Sequence, residues 1–284
     1  MKKKLDDAAR KNAPGSFVKL THGQTHFQWH GSEDGQVLVL VHGFSTPSFV
    51  WRGLLPPLIE AGFRILTYDH FGRGWSDRPH ADYSLEFYRQ HLLELIESQS
   101  INSPFDLVGY SMGGLIAADF VNHHRAKVDK VFLIAPAGLN ASLSTIPAAL
   151  KWPIIGPWLA EHVMSKRLLA DMAKPENQGK ALPDLMERYR EQMAYPGYMR
   201  SLRSTILHTP LLNGLAHYEK LAKADISIGA VWGAKDTVTP PTGADSLKEM
   251  FPTADISICE DAYHAITYSH AEAVAAHMIQ HLKD

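Results

Sequence analysis

The sequence predicts an α/β fold: a mostly parallel central sheet, covered by helices on both faces, with an inserted helical cap. Three observations predict it. Short, continuously apolar runs recur along the chain, amphipathic or loop-like segments separate them, and the rhythm breaks once, from about Gly138 to Asn213. A continuous apolar run of strand length is buried on both faces, as a parallel sheet between helical layers requires.

The first element is an antiparallel hairpin at the sheet edge, Phe17 to Leu20 and Thr25 to Trp29, about a turn at His22-Gly23-Gln24. The apolar runs follow: Val37 to Val41, Phe63 to Tyr68, Phe105 to Val108, Val131 to Ala135, Ile226 to Trp232 and Ile256 to Cys259. Between them, Ser84 to Ser100 carries Leu85, Tyr88, Leu92, Leu95 and Ile96 at helical spacing, with Ser84 as N-cap. The last helix opens with Ser269 and Glu272, spaced as a capping box, and runs to Leu282. The break itself holds seven prolines, five of the nine methionines, and Trp152 and Trp158. It reads as short helices interrupted by proline. Leu168, Leu169, Met172, Leu185, Met186, Tyr189 and Met193 serve there as helix core or as adaptable walls of an apolar pocket. We divide the chain accordingly into a core, residues 1–137 and 214–284, and a cap insertion, residues 138–213.

At 284 residues, 45% apolar and 20% charged, the chain has a core large enough to shield a buried site. A formal charge of −2 leaves no basic face for a phosphate backbone, which argues against nucleic acid as a partner. Cys259 is the single cysteine, so intramolecular disulfides and multi-thiolate zinc sites are excluded. The beginning, Met1-Lys2-Lys3, is charged as an export signal would be, but Asp6, Asp7, Arg10 and Lys11 stand where its apolar stretch belongs. The expectation is a cytoplasmic protein with a frayed amino terminus and no transmembrane segment, since no run approaches the roughly 18 apolar residues a bilayer needs.

The chemistry centres on Gly109-Tyr110-Ser111-Met112-Gly113, which lies between the strand Phe105 to Val108 and a helix-compatible run. A serine at such a strand-turn-helix is held in strained backbone with its Oγ clear of the sheet, and Gly109 and Gly113 supply the space. Serine at its ordinary pKa needs a base, and the base needs an orienting group. Asp236 follows the strand Ile226 to Trp232, and His264 follows Ile256 to Cys259, so both reach the carboxyl edge where sites of open α/β sheets form. His270 is the rival base, and Asp261 and Glu260 are rival acids. Acyl transfer also needs oxyanion donors, each worth about 2.7–4 kcal/mol of barrier. The strand Val37 to Val41 ends in His42-Gly43-Phe44. Gly43 permits close approach there, so that the N–H of Phe44 meets that of Met112.

Through His42-Gly43-Phe44, Asp69-His70-Phe71-Gly72-Arg73-Gly74-Trp75-Ser76, the serine pentapeptide, Asp236 and His264, the chain resembles the α/β-hydrolase family, of the lipase and carboxylesterase-like kind with a helical cap. The resemblance implies Ser111 as nucleophile, His264 as base, Asp236 as acid and the Phe44 and Met112 amides as oxyanion hole. It implies a small-molecule ester substrate, no cofactor and no metal, and carries no catalytic role for Asp69 or Arg73. Dehalogenases and epoxide hydrolases of this fold attack with aspartate, whereas this chain presents serine. C–C bond hydrolases acting on ring-cleavage diketones keep the same three residues and are the main alternative. Tyr110 stands where they usually have asparagine. A hydrolase fold that only binds a small apolar ligand is the alternative outside enzymes. Other patterns lack their companions: Ser16 to Lys19 matches S-x-x-K without S-D-N or K-T-G, His277 and His281 have no glutamate between them as in H-E-x-x-H, and His22, His26 and His30 have no nearby carboxylate until Glu33.

Overall fold

A computed structural model describes residues 4–139 and 148–284. The opening Met1-Lys2-Lys3, and residues 140–147 of the insertion, lie outside the described residues.

The apolar runs become an eight-stranded sheet. Its strands are β1 (Ser16–Leu20), β2 (Gly23–His30), β3 (Gln36–Val41), β4 (Phe63–Tyr68), β5 (Phe105–Tyr110), β6 (Val128–Ile134), β7 (Ser227–Gly233) and β8 (Asp255–Cys259), in the order β1-β2-β4-β3-β5-β6-β7-β8. β1, β2 and β4 pair antiparallel, while β4, β3, β5, β6, β7 and β8 are parallel. Leu38, Val39, Leu40 and Val41 alternate in direction yet are all fully buried, so both faces of β3 are covered. Removing such a side chain from water is worth roughly 1.5–3 kcal/mol. Helices Leu55–Glu60 and Ala271–Lys283 pack on one face, and Leu85–Ser98, Met112–His124 and Leu215–Leu221 on the other. Register brings the carboxyl ends together, with Val41 opposite Gly109 and Tyr110 opposite Ile134.

Ser84 caps its helix, its side chain accepting the Phe87 N–H at 3.2 Å. Other local expectations are corrected. Gly23 already belongs to β2 and pairs with Leu20, leaving Thr21-His22 as the turn. Ser269 does not cap the last helix: it ends a separate turn of helix, Ile266–Ser269, and its hydroxyl meets His270 Nδ1 at 2.9 Å. His270 takes the N-cap position without a side-chain cap. The amino terminus is not frayed over its described part. Asp7–Arg10 is a helical turn whose Arg10 is buried against the Trp75 carbonyl, at 3.0 Å, and the Asp77 carboxylate. Those partners compensate the guanidinium for the water it loses.

Between β6 and β7 the chain forms helices Ile155–Leu159, Ser165–Met172, Leu185–Met193 and Tyr198–His208, with a wider π turn at Ala160–Met164. Leu182 and Leu185 join the main core, whereas Ala160, Tyr198, Met199 and Leu202 form a smaller cluster against which Phe44, Met164, Leu168 and Met193 pack. Trp152 and Trp158, the two tryptophans of the insertion, are 55% and 56% exposed. No helix among the described residues is long and apolar enough to cross a membrane.

Candidate active site

β5 stops at Tyr110 and a helix starts at Met112, so Ser111 alone must turn the chain. Its backbone sits at φ 54, ψ −119, a conformation that costs a non-glycine residue about 1–3 kcal/mol. Neighbouring backbone over-determines it: Ser111 N–H donates to Ile134 O, while Ser111 O accepts from Gly114 and Ala137 N–H, each at 2.9 Å. The flanking glycines are required by contact. A Cβ on Gly113 would stand 2.0 Å from the Val41 carbonyl oxygen, and one on Gly109 2.4 Å from that of Gly113. Gly43 is less confined, its Cβ position 3.2 Å from Ser111 Cβ, a tight contact rather than an overlap.

The structure brings the three distant side chains together. His264 Nε2 lies 3.0 Å from Ser111 Oγ, and His264 Nδ1 lies 2.7 Å from Asp236 Oδ2. Since the carboxylate accepts, Nδ1 carries the proton and Nε2 is left to accept from the serine hydroxyl; this tautomer is assigned from the network. Asp236 is buried, and its Oδ1 accepts the N–H groups of Val238 and Thr239 at 2.8 and 2.9 Å. Burial pushes its carboxyl up, but the charge and hydrogen bond of His264 and the two amides outweigh this and hold it below its ordinary value. Two of the rivals are engaged elsewhere: Asp261 with Lys235 at 2.7 Å, and His270 with Ser269.

Facing the serine, Met112 opens its helix, so its N–H is one of the donors that a helix leaves without an internal acceptor. Phe44 follows Gly43 on the opposing loop. Beneath that loop His42 is fully buried, with Nε2 accepting the His70 N–H at 2.9 Å and Nδ1 donating to Gly43 O at 2.9 Å. Burial holds it neutral, lowering its pKa to about 4. The remaining histidine patterns resolve into ordinary partners: His26 with Asp69, His30 with Thr67 and His277 with Ser257. Among the described residues, no group of three or more His, Cys, Asp or Glu is arranged to hold a metal ion.

Sequence reasoning missed several contributors. Thr239 Oγ1 lies 3.2 Å from His264 Nδ1 and has one proton to donate, either to Asp236 Oδ2 at 2.9 Å or to Ala135 O at 3.0 Å. The spacing Asp-x-x-Thr at 236 and 239 was its available signal. Tyr110 stacks on the His264 ring at 5.3 Å and donates its hydroxyl to the His264 carbonyl at 2.8 Å. Asp69 is a hub, accepting from His26, from the Ser48 hydroxyl and amide and from the Trp75 amide.

A sequence-family description, the alpha/beta hydrolase fold, matches residues 36–271, most of the chain. The chain belongs to the α/β-hydrolase family. This hydrolase is 27% identical to a pimeloyl-[acyl-carrier protein] methyl ester esterase of Vibrio atlanticus, over 88% of its own length and 96% of the relative. It is 26% identical to an uncharacterized protein of Mycobacterium tuberculosis, over 88% of the hydrolase and 76% of that protein. Among solved structures it superposes on a bromoperoxidase from Bacillus anthracis with a TM-score of 0.76 at 21% identity, covering 95% of this chain and 99% of the other. At that identity the likeness extends to the fold alone.

Proposed function

We propose that this hydrolase cleaves carboxylic esters of small to medium size through an acyl-enzyme on Ser111. The observation that carries the reading is the unbroken relay from Ser111 Oγ through His264 to Asp236, with spacings of 3.0 and 2.7 Å. Ser111 Oγ attacks the ester carbonyl carbon as His264 Nε2 takes its proton, and the carbonyl oxygen becomes an anion facing the Phe44 and Met112 amides. Collapse breaks the bond to the alcohol oxygen, which leaves with the proton from His264. Water then gives a proton to His264 and its oxygen to the acyl carbon. A second collapse frees the acid and returns the proton to Ser111. Asp236 stays ionised and holds the imidazole throughout.

Residues 138–213 act in this reading as a cap. Phe44, from the loop beside Ser111, packs with Met164, Leu168 and Met193 on its small apolar cluster, which suits an apolar acyl group. The esterase relative supports an ester as substrate class. C–C bond hydrolysis is the weaker reading, because Tyr110, held against His264, occupies the place of the asparagine usual in that group.

The test is Ser111→Ala, assayed on p-nitrophenyl esters of graded acyl length and on a ring-cleavage diketone. Turnover is expected to fall by roughly 10³-fold or more with the fold intact, and covalent labelling by a fluorophosphonate to disappear. Wild-type ester turnover in the variant removes Ser111 from the mechanism, and a diketone cleaved far faster than any ester replaces the ester reading.

A further inference from the structure

Arg73 is fully buried, yet the reading above gives it no task. It lies in the turn after β4 and reaches in three directions. Nε donates to the Phe44 carbonyl at 2.6 Å, Nη1 to Ser201 Oγ at 2.8 Å, and Nη2 to Thr205 Oγ1 and Tyr88 OH at 3.0 and 3.3 Å. Its guanidinium carbon also stands 5.6 Å from the centroid of the Phe44 ring. All four acceptors are uncharged. Burying a cation against neutral oxygens alone costs stability relative to an apolar side chain of the same volume. The arrangement therefore points to geometry as what the arginine contributes. A planar fork with fixed donor directions fits that task, and an ammonium on a flexible stem does not.

Phe44 supplies one of the two amides that face Ser111 in the proposed reaction, and Ser201 and Thr205 belong to the helix Tyr198–His208 of the cap. The same cap holds the next carbonyl of the loop: Tyr198 OH and Gln192 Nε2 donate to Ser45 O at 2.7 and 3.0 Å. Ser201 Oγ is itself fixed, donating to Gly72 O or Tyr198 O at 3.0 and 2.7 Å. Thus consecutive peptide oxygens of the oxyanion loop, Phe44 and Ser45, are fastened from the cap side. We propose that Arg73 is a positioning residue that sets the Phe44 amide for the oxyanion, using cap hydroxyls as its anchor. The cap then completes the catalytic geometry as well as covering it. This rests on the Ser111 acyl-enzyme reading, and it assigns Arg73 no contact with substrate.

An oxyanion donor acts on the transition state, so misplacing it lowers kcat and leaves KM nearly alone. The experiment compares Arg73→Lys and Arg73→Ala with the paired variant Ser201→Ala, Thr205→Val, which keeps the arginine and removes its cap anchors. Each is titrated with a fluorophosphonate, so that kcat is expressed per reactive serine and unfolded protein does not count. Expected is a loss of about ten- to hundredfold in kcat per site in both arginine variants, and a smaller loss of the same kind in the cap pair, with KM within about threefold. Affinity for a trifluoromethyl ketone, which forms a hemiketal oxyanion on Ser111, should weaken in parallel with kcat/KM. Guanidinium ion added to Arg73→Ala should restore part of kcat.

A lower melting temperature and a smaller titratable fraction, with kcat per site and ketone affinity unchanged, would mean that Arg73 only holds the fold and would overturn the proposal. Failure of the underlying reading looks different. In that case the wild-type enzyme takes no label at Ser111, which overturns both.

Discussion

At the residue scale, Asp236 does two jobs with two oxygens. Oδ1 is committed to the Val238 and Thr239 amides, which leaves Oδ2 for His264. In Asp236→Asn the side-chain oxygen must stay with those amides, because two buried N–H groups would otherwise lose their acceptor. The new amide then donates toward Nδ1, forces the proton to Nε2, and removes the acceptor that Ser111 needs. We expect kcat to fall about 10⁴-fold with the melting temperature nearly unchanged. A loss below tenfold would show that the imidazole tautomer is set elsewhere. Asp236 and His264 were legible in sequence as candidate acid and base because each follows an apolar run at one edge of the sheet. Tyr110 was not, since what distinguishes it is contact with His264 across 154 residues, which no local pattern reports, and Thr239 offered only its spacing from Asp236.

Elements meet at the serine turn under a strict spatial constraint. The helix Met112–His124 approaches the end of β3 so closely that Gly113 has no room for a methyl group beside the Val41 and His42 carbonyl oxygens, 2.0 and 2.8 Å from its Cβ position. Those oxygens are backbone and cannot rotate away. Gly113→Ala must therefore push the helix from the sheet, and we expect a destabilisation of about 3 kcal/mol or more, read as a lower midpoint in urea, together with loss of fluorophosphonate labelling. A variant with wild-type midpoint and labelling would show that this approach is not tight. Glycine spacing announced the turn, but the same kind of local reading failed at Ser269. Ser269 and Glu272 have capping-box spacing, yet Ile266, Thr267 and Tyr268 are buried and draw Ser269 into a preceding helical turn. Burial of three side chains outweighs one cap of about 1 kcal/mol.

On the scale of the whole molecule, stability against acid depends on buried imidazoles. His42, His70 and His91 are fully or nearly fully buried and kept neutral by desolvation, His42 at about 4, His91 at about 3 and His70 well below the usual range. Their folded values lie below the unfolded 6.5, so the unfolded chain binds protons first, and stability is lost as pH falls from about 6.5. Protonated His42 would also set an N–H against the His70 amide that it now accepts. Asp106 acts the other way. Burial, then the charge of Asp129, raises it to about 6, so its contribution is full below 3.8 and fades as pH rises through 6. From these four groups alone, unfolding near pH 5 takes up roughly two protons, a fall in stability of about 2–3 kcal/mol per pH unit, and His30, His124 and His281, also lowered by burial, add in the same direction. Urea unfolding at pH 5, 6 and 7 checks the slope, and a flat profile would contradict it.

By itself the sequence determined the layered α/β architecture, the strand-turn-helix at Ser111, and the pairing of Asp236 with His264 as acid and base candidates. These follow from periodicity, steric allowance and position along the chain, which are local quantities. Only the tertiary structure decided that Arg73 joins Phe44 to Ser201 and Thr205, that Trp152 and Trp158 face solvent, and that Asp69 gathers four donors. Those outcomes depend on which buried polar group finds a partner and which apolar side chain finds cover. Such matching is settled only when segments distant in the chain compete for the same space.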